Sequence, residues 1–138
     1  MLSTKDNEFL ARVGPGTPMG NFFRQYWLPA IRSDELPAPD CPPVRIKLLG
    51  EELIGYRTTS GAVGLIQNAC PHRGASLFFG RNESAGLRCV YHGWQYALDG
   101  QCVDTPNEPP ASTFADKVCH GSYPCACLLY TSDAADEL

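Results

Sequence analysis

Two segments, Cys70-Pro71-His72 and Cys89-Val90-Tyr91-His92, separated by sixteen residues, decide the fold of this 138-residue chain. Each segment offers one thiol and one imidazole close together, so a single loop can present both to the same metal site. The chain has an odd number of cysteines, seven, and no apolar export signal at its start. Metal ligation is therefore expected before disulfide formation, and the pattern predicts one metal site that both segments share.

A structural zinc ion is the simplest occupant of such a site, because zinc readily takes two cysteines and two histidines. In zinc sites, however, the usual spacing pairs cysteine with cysteine and histidine with histidine, whereas each segment here mixes the two. The alternative is a [2Fe–2S] cluster, with two cysteines on one iron and two histidines on the other. The mixed spacing favours the cluster over zinc.

The spacing Cys-x-His, a gap of this length, and then Cys-x2-His resembles the Rieske [2Fe–2S] domain. Gly74 and Gly93 fit the resemblance, because backbone amides must approach the cluster sulfides closely. The resemblance implies electron transfer by the chain and assigns it no catalytic residue. It implies that one iron is held by Cys70 and Cys89 and the other by His72 and His92.

Respiratory-chain Rieske proteins carry one more cysteine in each loop, and those two cysteines form a disulfide. The corresponding positions here are Ala75 and Tyr91, so this disulfide cannot form. Residues 89–96 resemble instead the second loop of aromatic-ring oxygenases. The aromatic side chains of that loop, Tyr91, Trp94 and Tyr96, are expected mainly to pack the core of a small domain.

Residues on both sides of the two loops narrow the resemblance. Residues 13–20, 24–29 and 103–106 resemble phthalate dioxygenase-type oxygenase components, and the likeness extends over about residues 3–125. This implies the electron-transfer part of an aromatic-ring-hydroxylating or demethylating non-haem iron oxygenase. Its mononuclear Fe(II) is expected only in a C-terminal catalytic domain, because this chain offers no triad of two further histidines and a carboxylate to hold that iron.

The same resemblance implies the partners. A reductase or a ferredoxin is expected to donate electrons, and the catalytic iron domain of the intact protein, in a neighbouring subunit, is expected to receive them. The alternative is a stand-alone Rieske ferredoxin-type electron carrier. Such a carrier would begin near Val44, so the residues before Val44 argue against it.

The hydrophobic pattern predicts a mostly β fold after an N-terminal extension, residues 1–43. Two short helices are expected there, one at residues 3–12 and one that Thr17 caps and Pro29 ends, followed by a Pro-rich linker. Residues 44–125 are expected to form the Rieske domain, a small antiparallel β sandwich with two cluster-binding loops. Asp99-Gly100 marks a hairpin turn. The predicted strands are residues 44–48, 52–57, 62–67, 87–90, 95–98 and 101–103.

The sequence from about Ala126 onward resembles translated sequencing-adapter read-through. Residues 126–138 are therefore expected to be non-native, and the Rieske domain is expected to be truncated. The alternative is a divergent acidic tail. Three of the acidic residues that contribute to the net charge of −4 lie in the last eight positions.

Composition argues against several kinds of partner. The net charge of −4 provides no basic footprint for nucleic acid or an anionic membrane, and no apolar run approaches the roughly 20 residues of a membrane span. A cytoplasmic location is expected.

We expect His120 at the surface or a strand edge and Cys102 in the core. No second metal site is expected from the remaining cysteines, Cys41, Cys119, Cys125 and Cys127.

Overall fold

Two four-stranded antiparallel sheets carry the fold in the computed structural model, which describes residues 1–127. In the first sheet the spatial order is β1 (Val44–Leu48), β2 (Glu51–Arg57), β3 (Val63–Gln67) and β8 (Ser122–Tyr123). In the second sheet the order is β4 (Arg81–Glu83), β5 (Gly86–Arg88), β6 (Gln95–Tyr96) and β7 (Cys102–Asp104). The predicted mostly β, antiparallel architecture is confirmed.

One hydrophobic core joins the two sheets. The first sheet contributes Ile54 and Ile66, and the second contributes Leu87 and Cys102, each 2% exposed or less. Burial of such side chains is the main source of stability in a domain of this size. The buried position of Cys102 confirms that it acts as a small hydrophobic residue of the core.

The N-terminal extension contains two short helices, α1 (Thr4–Ala11) and α2 (Pro18–Phe23). The Thr17 side chain accepts a hydrogen bond from the Gly20 amide at 3.1 Å, which confirms the predicted cap. The predicted length of α2 was wrong. After Arg24 the amides bond three residues back instead of four, so the α-helix ends and leaves Trp27 71% exposed. Within residues 1–127, three single 3₁₀ turns occupy Ser33–Glu35, Leu77–Phe79 and Ala115–Lys117.

Several strand boundaries differ from the prediction. β5 ends at Arg88 instead of continuing to Val90, because the Cys89 amide donates to the Trp94 carbonyl and starts a loop. Strands β4 and β8 were not predicted, because one is polar and the other has only two residues. The hairpin turn is confirmed: Gly100 has a φ of +83° between β6 and β7.

Most of the predicted non-native tail, residues 128–138, lies outside the described residues. All seven cysteines fall within residues 1–127 and are free thiols. In the same part of the chain, no helix is both long enough and apolar enough to cross a membrane.

Helix α2 of the extension is attached to the first sheet through the Glu51 carboxylate. The Arg24 guanidinium donates to Glu51 Oε1 at 3.1 Å and to the carbonyl oxygens of Val13 and Gly20. The Tyr123 hydroxyl donates to the same carboxylate oxygen at 2.6 Å. Burial alone raises the pKa of Glu51, but hydrogen bonds from Tyr123, Arg24 and a β3 side chain outweigh it and lower that pKa. One carboxylate thus joins the extension to β2, β3 and β8.

We expect Arg24→Ala to release residues 13–24 from the sheet, because it removes charge-assisted hydrogen bonds to a half-buried carboxylate. The free energy of unfolding should fall by about 2 kcal/mol, and amide hydrogen exchange should accelerate across residues 13–24. The control is Arg12→Ala, whose ion pair with Glu8 joins side chains 70% and 59% exposed. The control should cost no more than about 0.5 kcal/mol, and equal losses in both variants would contradict the anchoring role.

Candidate metal centre

The first loop, residues 70–75, is closed by its own backbone. The Cys70 amide donates to the Ala75 carbonyl at 2.9 Å, and the Gly74 amide donates back to the Cys70 carbonyl at 2.8 Å. An isolated antiparallel bridge between Ala69 and Ser76 closes the base of the loop. The position of the Cys70 thiol is therefore set by a hydrogen-bonded turn.

The second loop, residues 89–94, repeats this pattern. The Cys89 amide donates to the Trp94 carbonyl at 2.8 Å, and the Gly93 amide donates back to the Cys89 carbonyl at 3.1 Å. Gly93 has a φ of +75°, close to the +73° of Gly74, and these are values that favour glycine. A Cβ at position 93 would also lie 2.8 Å from a carbon of Pro106. Gly93, which is predicted to let backbone amides approach the cluster sulfides, is thus also required by the conformation of the turn.

Arg88 ties the second loop to the neighbouring strands. Its guanidinium donates to the Gly93 carbonyl, to Asp104 Oδ2 at 2.8 Å and to Glu83 Oε2 at 2.9 Å. Gln95 completes the group by donating to the same Glu83 oxygen at 3.1 Å. Because these partners belong to β4, β6 and β7, the loop is held from three sides.

The structure brings the four residues that the sequence singles out together as two pairs, one of thiols and one of imidazoles. Cys70 and Cys89 are each 3% exposed, whereas His72 and His92 are partly exposed. The two imidazole ring centroids lie 4.5 Å apart. Burial raises the pKa of the Cys89 thiol, and the neighbouring Cys70 thiol raises it further. The loops therefore present a buried pair of thiols and a more exposed pair of imidazoles.

The donor set fits a two-iron cluster. His72 Nδ1 is buried and has no hydrogen-bond partner among the described residues, which is costly unless a ligand occupies it. Desolvation lowers the pKa of His72, and the charges of His92 and Arg73 lower it further, which favours the neutral ring that can bind metal. Within residues 1–127 no group of three or more His, Cys, Asp or Glu side chains is arranged to hold a single metal ion. Two cysteines and two histidines as separate pairs match a cluster with two protein ligands on each iron.

The aromatic residues of the second loop do more than pack the core. The Trp94 ring stacks on the His72 ring, with centroids 4.3 Å apart and planes within 2° of parallel. Trp94 is buried, as predicted. The prediction for Tyr91 was wrong: it is 62% exposed, because it sits at the outer end of the loop beside His92, with ring centroids 3.9 Å apart.

Tyr96 is fully buried, and its hydroxyl lies 3.2 Å from the Cys70 sulfur. Burial raises the pKa of Tyr96, and the hydrogen bond with Cys70 raises it further. The hydroxyl therefore stays protonated and can donate to a Cys70 thiolate. The sequence indicated that Tyr96 packs the core, but nothing in the spacing indicated this contact across 26 residues.

His120 is 6% exposed, so the expectation of a surface or strand-edge position was wrong. The residues before β8 cross the Asp99-Gly100 turn, where the His120 amide donates to the Gly100 carbonyl at 2.7 Å and the imidazole turns inward. Cys41 is partly exposed. Of the other cysteines outside the loops and the core, three are exposed: Cys119, Cys125 and Cys127.

Comparison with known proteins agrees with this geometry. The chain is 55% identical to the oxygenase subunit of 3-chlorobenzoate-3,4-dioxygenase from Comamonas testosteroni over 90% of its own length. It is 46% identical to the oxygenase subunit of phthalate 4,5-dioxygenase from Pseudomonas putida over 89% of its length. In each case the chain spans 28% of the relative.

A solved structure supports the same assignment. The terminal oxygenase of carbazole 1,9a-dioxygenase from Nocardioides aromaticivorans IC177 superposes with a TM-score of 0.67 at 30% identity, covering 86% of this chain and 30% of that one. The model of the Rieske [2Fe–2S] domain family matches residues 26–115, which is more than half of the chain. The chain belongs to the Rieske [2Fe–2S] domain family, whose cofactor is a [2Fe–2S] cluster.

Proposed function

We propose that this chain is the electron-transfer part of an aromatic-ring-hydroxylating or demethylating non-haem iron oxygenase component. In this proposal Cys70 and Cys89 hold one iron of the cluster, and His72 and His92 hold the other. The observation that carries the proposal is the convergence of two backbone-closed loops that place these four side chains in pairs. No residue of the chain is assigned a catalytic role.

When bound, the cluster supplies one-electron transfer. Neutral imidazoles in place of two thiolates lower its negative charge and raise its potential relative to an all-cysteine cluster. The difference in burial supports a route through the histidines, because both cysteines are 3% exposed and the histidine rings are partly exposed. Trp94 fixes the plane of the His72 ring by stacking on it.

The partners belong to the proposal as well. A reductase or ferredoxin donates electrons, and the catalytic iron domain of the intact protein, in a neighbouring subunit, receives them. The relatives are oxygenase subunits of which this chain spans 28%, and the mononuclear Fe(II) is assigned to a C-terminal catalytic domain. We also propose a cytoplasmic location, where thiols stay reduced, in keeping with seven free cysteines.

The alternative is a stand-alone Rieske ferredoxin-type carrier. The alignment with the chlorobenzoate dioxygenase subunit extends over 124 residues, beyond the matched Rieske region, which supports the oxygenase. Sequencing the original DNA from the codon for Cys125 onward separates the two. An in-frame continuation that encodes two histidines and a carboxylate of a mononuclear iron site supports the oxygenase. A native stop codon directly after Leu138 supports the carrier.

Removal of a cluster ligand should abolish the cluster. We expect the anaerobically purified, dithionite-reduced chain to contain two irons and to give a rhombic electron paramagnetic resonance signal with an average g below the free-electron value. Cys70→Ala should lose both. Cys102→Ala is the matched control, because Cys102 is also buried but lies outside the two loops. Bound zinc in place of iron, or a normal signal from Cys70→Ala, would overturn the assignment.

Tyr96→Phe should lower the reduction potential of the cluster, because it removes a hydrogen bond that stabilises the more negative reduced state. A bond of about 1 kcal/mol corresponds to about 40 mV for one electron. Redox titration followed by paramagnetic resonance measures the shift. Tyr91→Phe is the control, because Tyr91 is 62% exposed, and its potential should equal that of the wild type. A Tyr96→Phe potential equal to the control would contradict the role of the hydroxyl.

A further inference from the structure

His120 is a buried titratable side chain that the proposed electron transfer does not use. It is 6% exposed, and its Nε2 lies 2.8 Å from the carbonyl oxygen of Gln67. Because a carbonyl can only accept, Nε2 carries the proton and donates it. The backbone of His120 is fixed as well, since its amide donates to Gly100. His120 is therefore held by hydrogen bonds from both its ring and its main-chain amide.

The ring of His120 packs against the ring of Tyr96. The two ring centroids lie 5.3 Å apart with planes at 47°. The pairing of β6 with β7 is irregular between Gln95 and Tyr96, so the strand ladder alone fixes the Tyr96 backbone less firmly than a regular ladder would. A neighbouring ring that limits the torsions of a tyrosine also limits where its hydroxyl can lie. Contact with His120 thus bears directly on the position of the Tyr96 hydroxyl.

His120 also contacts β3, the strand that leads to Cys70, whose sulfur accepts the hydrogen bond from Tyr96. Gln67 is the last residue of β3 and lies three residues before Cys70 in the chain. A second bond, from the Gln67 amide to the Gly121 carbonyl at 2.8 Å, holds the same two segments together. One imidazole therefore contacts the Tyr96 ring and the end of the strand that leads to Cys70, whose sulfur lies 3.2 Å from the Tyr96 hydroxyl.

We propose that His120 is a positioning residue that holds the Tyr96 ring so that its hydroxyl reaches the Cys70 sulfur, and that His120 thereby raises the reduction potential of the cluster. This inference rests on the proposed function, because it requires Cys70 to be a cluster ligand. It adds His120 to Tyr96 as a residue that sets the potential of the cluster.

The mode of action is contact and not charge. Burial lowers the pKa of His120, although its hydrogen bond to Gln67 acts in the opposite direction. The ring is neutral and adds no positive charge near the two loops. An effect of His120 on the potential must then pass through Tyr96, and it should vanish when the Tyr96 hydroxyl is absent.

A double-mutant cycle on the full 138-residue chain tests this route. The variants are His120→Ala, Tyr96→Phe and the double variant, each examined by redox titration followed by paramagnetic resonance. We expect His120→Ala to lower the potential in the same direction as Tyr96→Phe. In the Tyr96→Phe background, His120→Ala should cause no further shift. The thermal unfolding temperature is measured in parallel. The decrease that His120→Ala causes in this temperature should be present in both Tyr96 backgrounds.

A second variant keeps the test sharp if the alanine variant does not fold. His120→Gln retains a donor that can reach the Gln67 carbonyl but lacks the aromatic ring, so it should preserve stability better than alanine and still lower the potential. An unchanged potential in His120→Gln, or an equal shift in both Tyr96 backgrounds, would overturn the positioning role.

The failure of the proposed function would look different. If the proposed function is wrong, the wild-type chain gives no rhombic signal, and this inference is then wrong as well. A wild-type chain with the signal but with His120 variants at the wild-type potential would overturn this inference alone.

Discussion

The burial of two cysteine thiols beside two imidazoles is the constraint on which the rest of this structure depends. Each thiol is 3% exposed, and burial raises the pKa of Cys89, so its thiolate is costly without a compensating cation. His72 Nδ1 is buried without a partner among the described residues. In the proposed assignment a bound cluster offsets both costs, which would couple cluster binding to the folding of the two loops.

The remainder of the second sheet serves to hold those loops. Its strands have only two or three residues each, too few for a ladder to confer much stability alone. Arg88 compensates by joining the second loop to β4 and β7 through Glu83 and Asp104. The longer strands of the first sheet and the shared core then provide the rigid base on which the short strands rest.

The Glu51 carboxylate ties helix α2 of the N-terminal extension to the domain. Glu51 accepts hydrogen bonds from Arg24, Tyr123 and Gln67, so helix α2 is joined to three strands at one point. Such charge-assisted bonds are stronger than neutral ones when partly buried. The extension is therefore part of the folded unit, which agrees with relatives that align over 90% of the chain.

The sequence alone predicted the four proposed ligands of the cluster, and it determined the antiparallel β class, the Asp99-Gly100 turn and the cap of α2. Each depends on residues close together in the chain, whose spacing limits the geometry. Only the tertiary structure decided the burial of His120, the stacking of Trp94 on His72 and the contact between Tyr96 and Cys70. These contacts join residues 22 or more positions apart, and they depend on how two sheets and their loops pack, which no local pattern encodes.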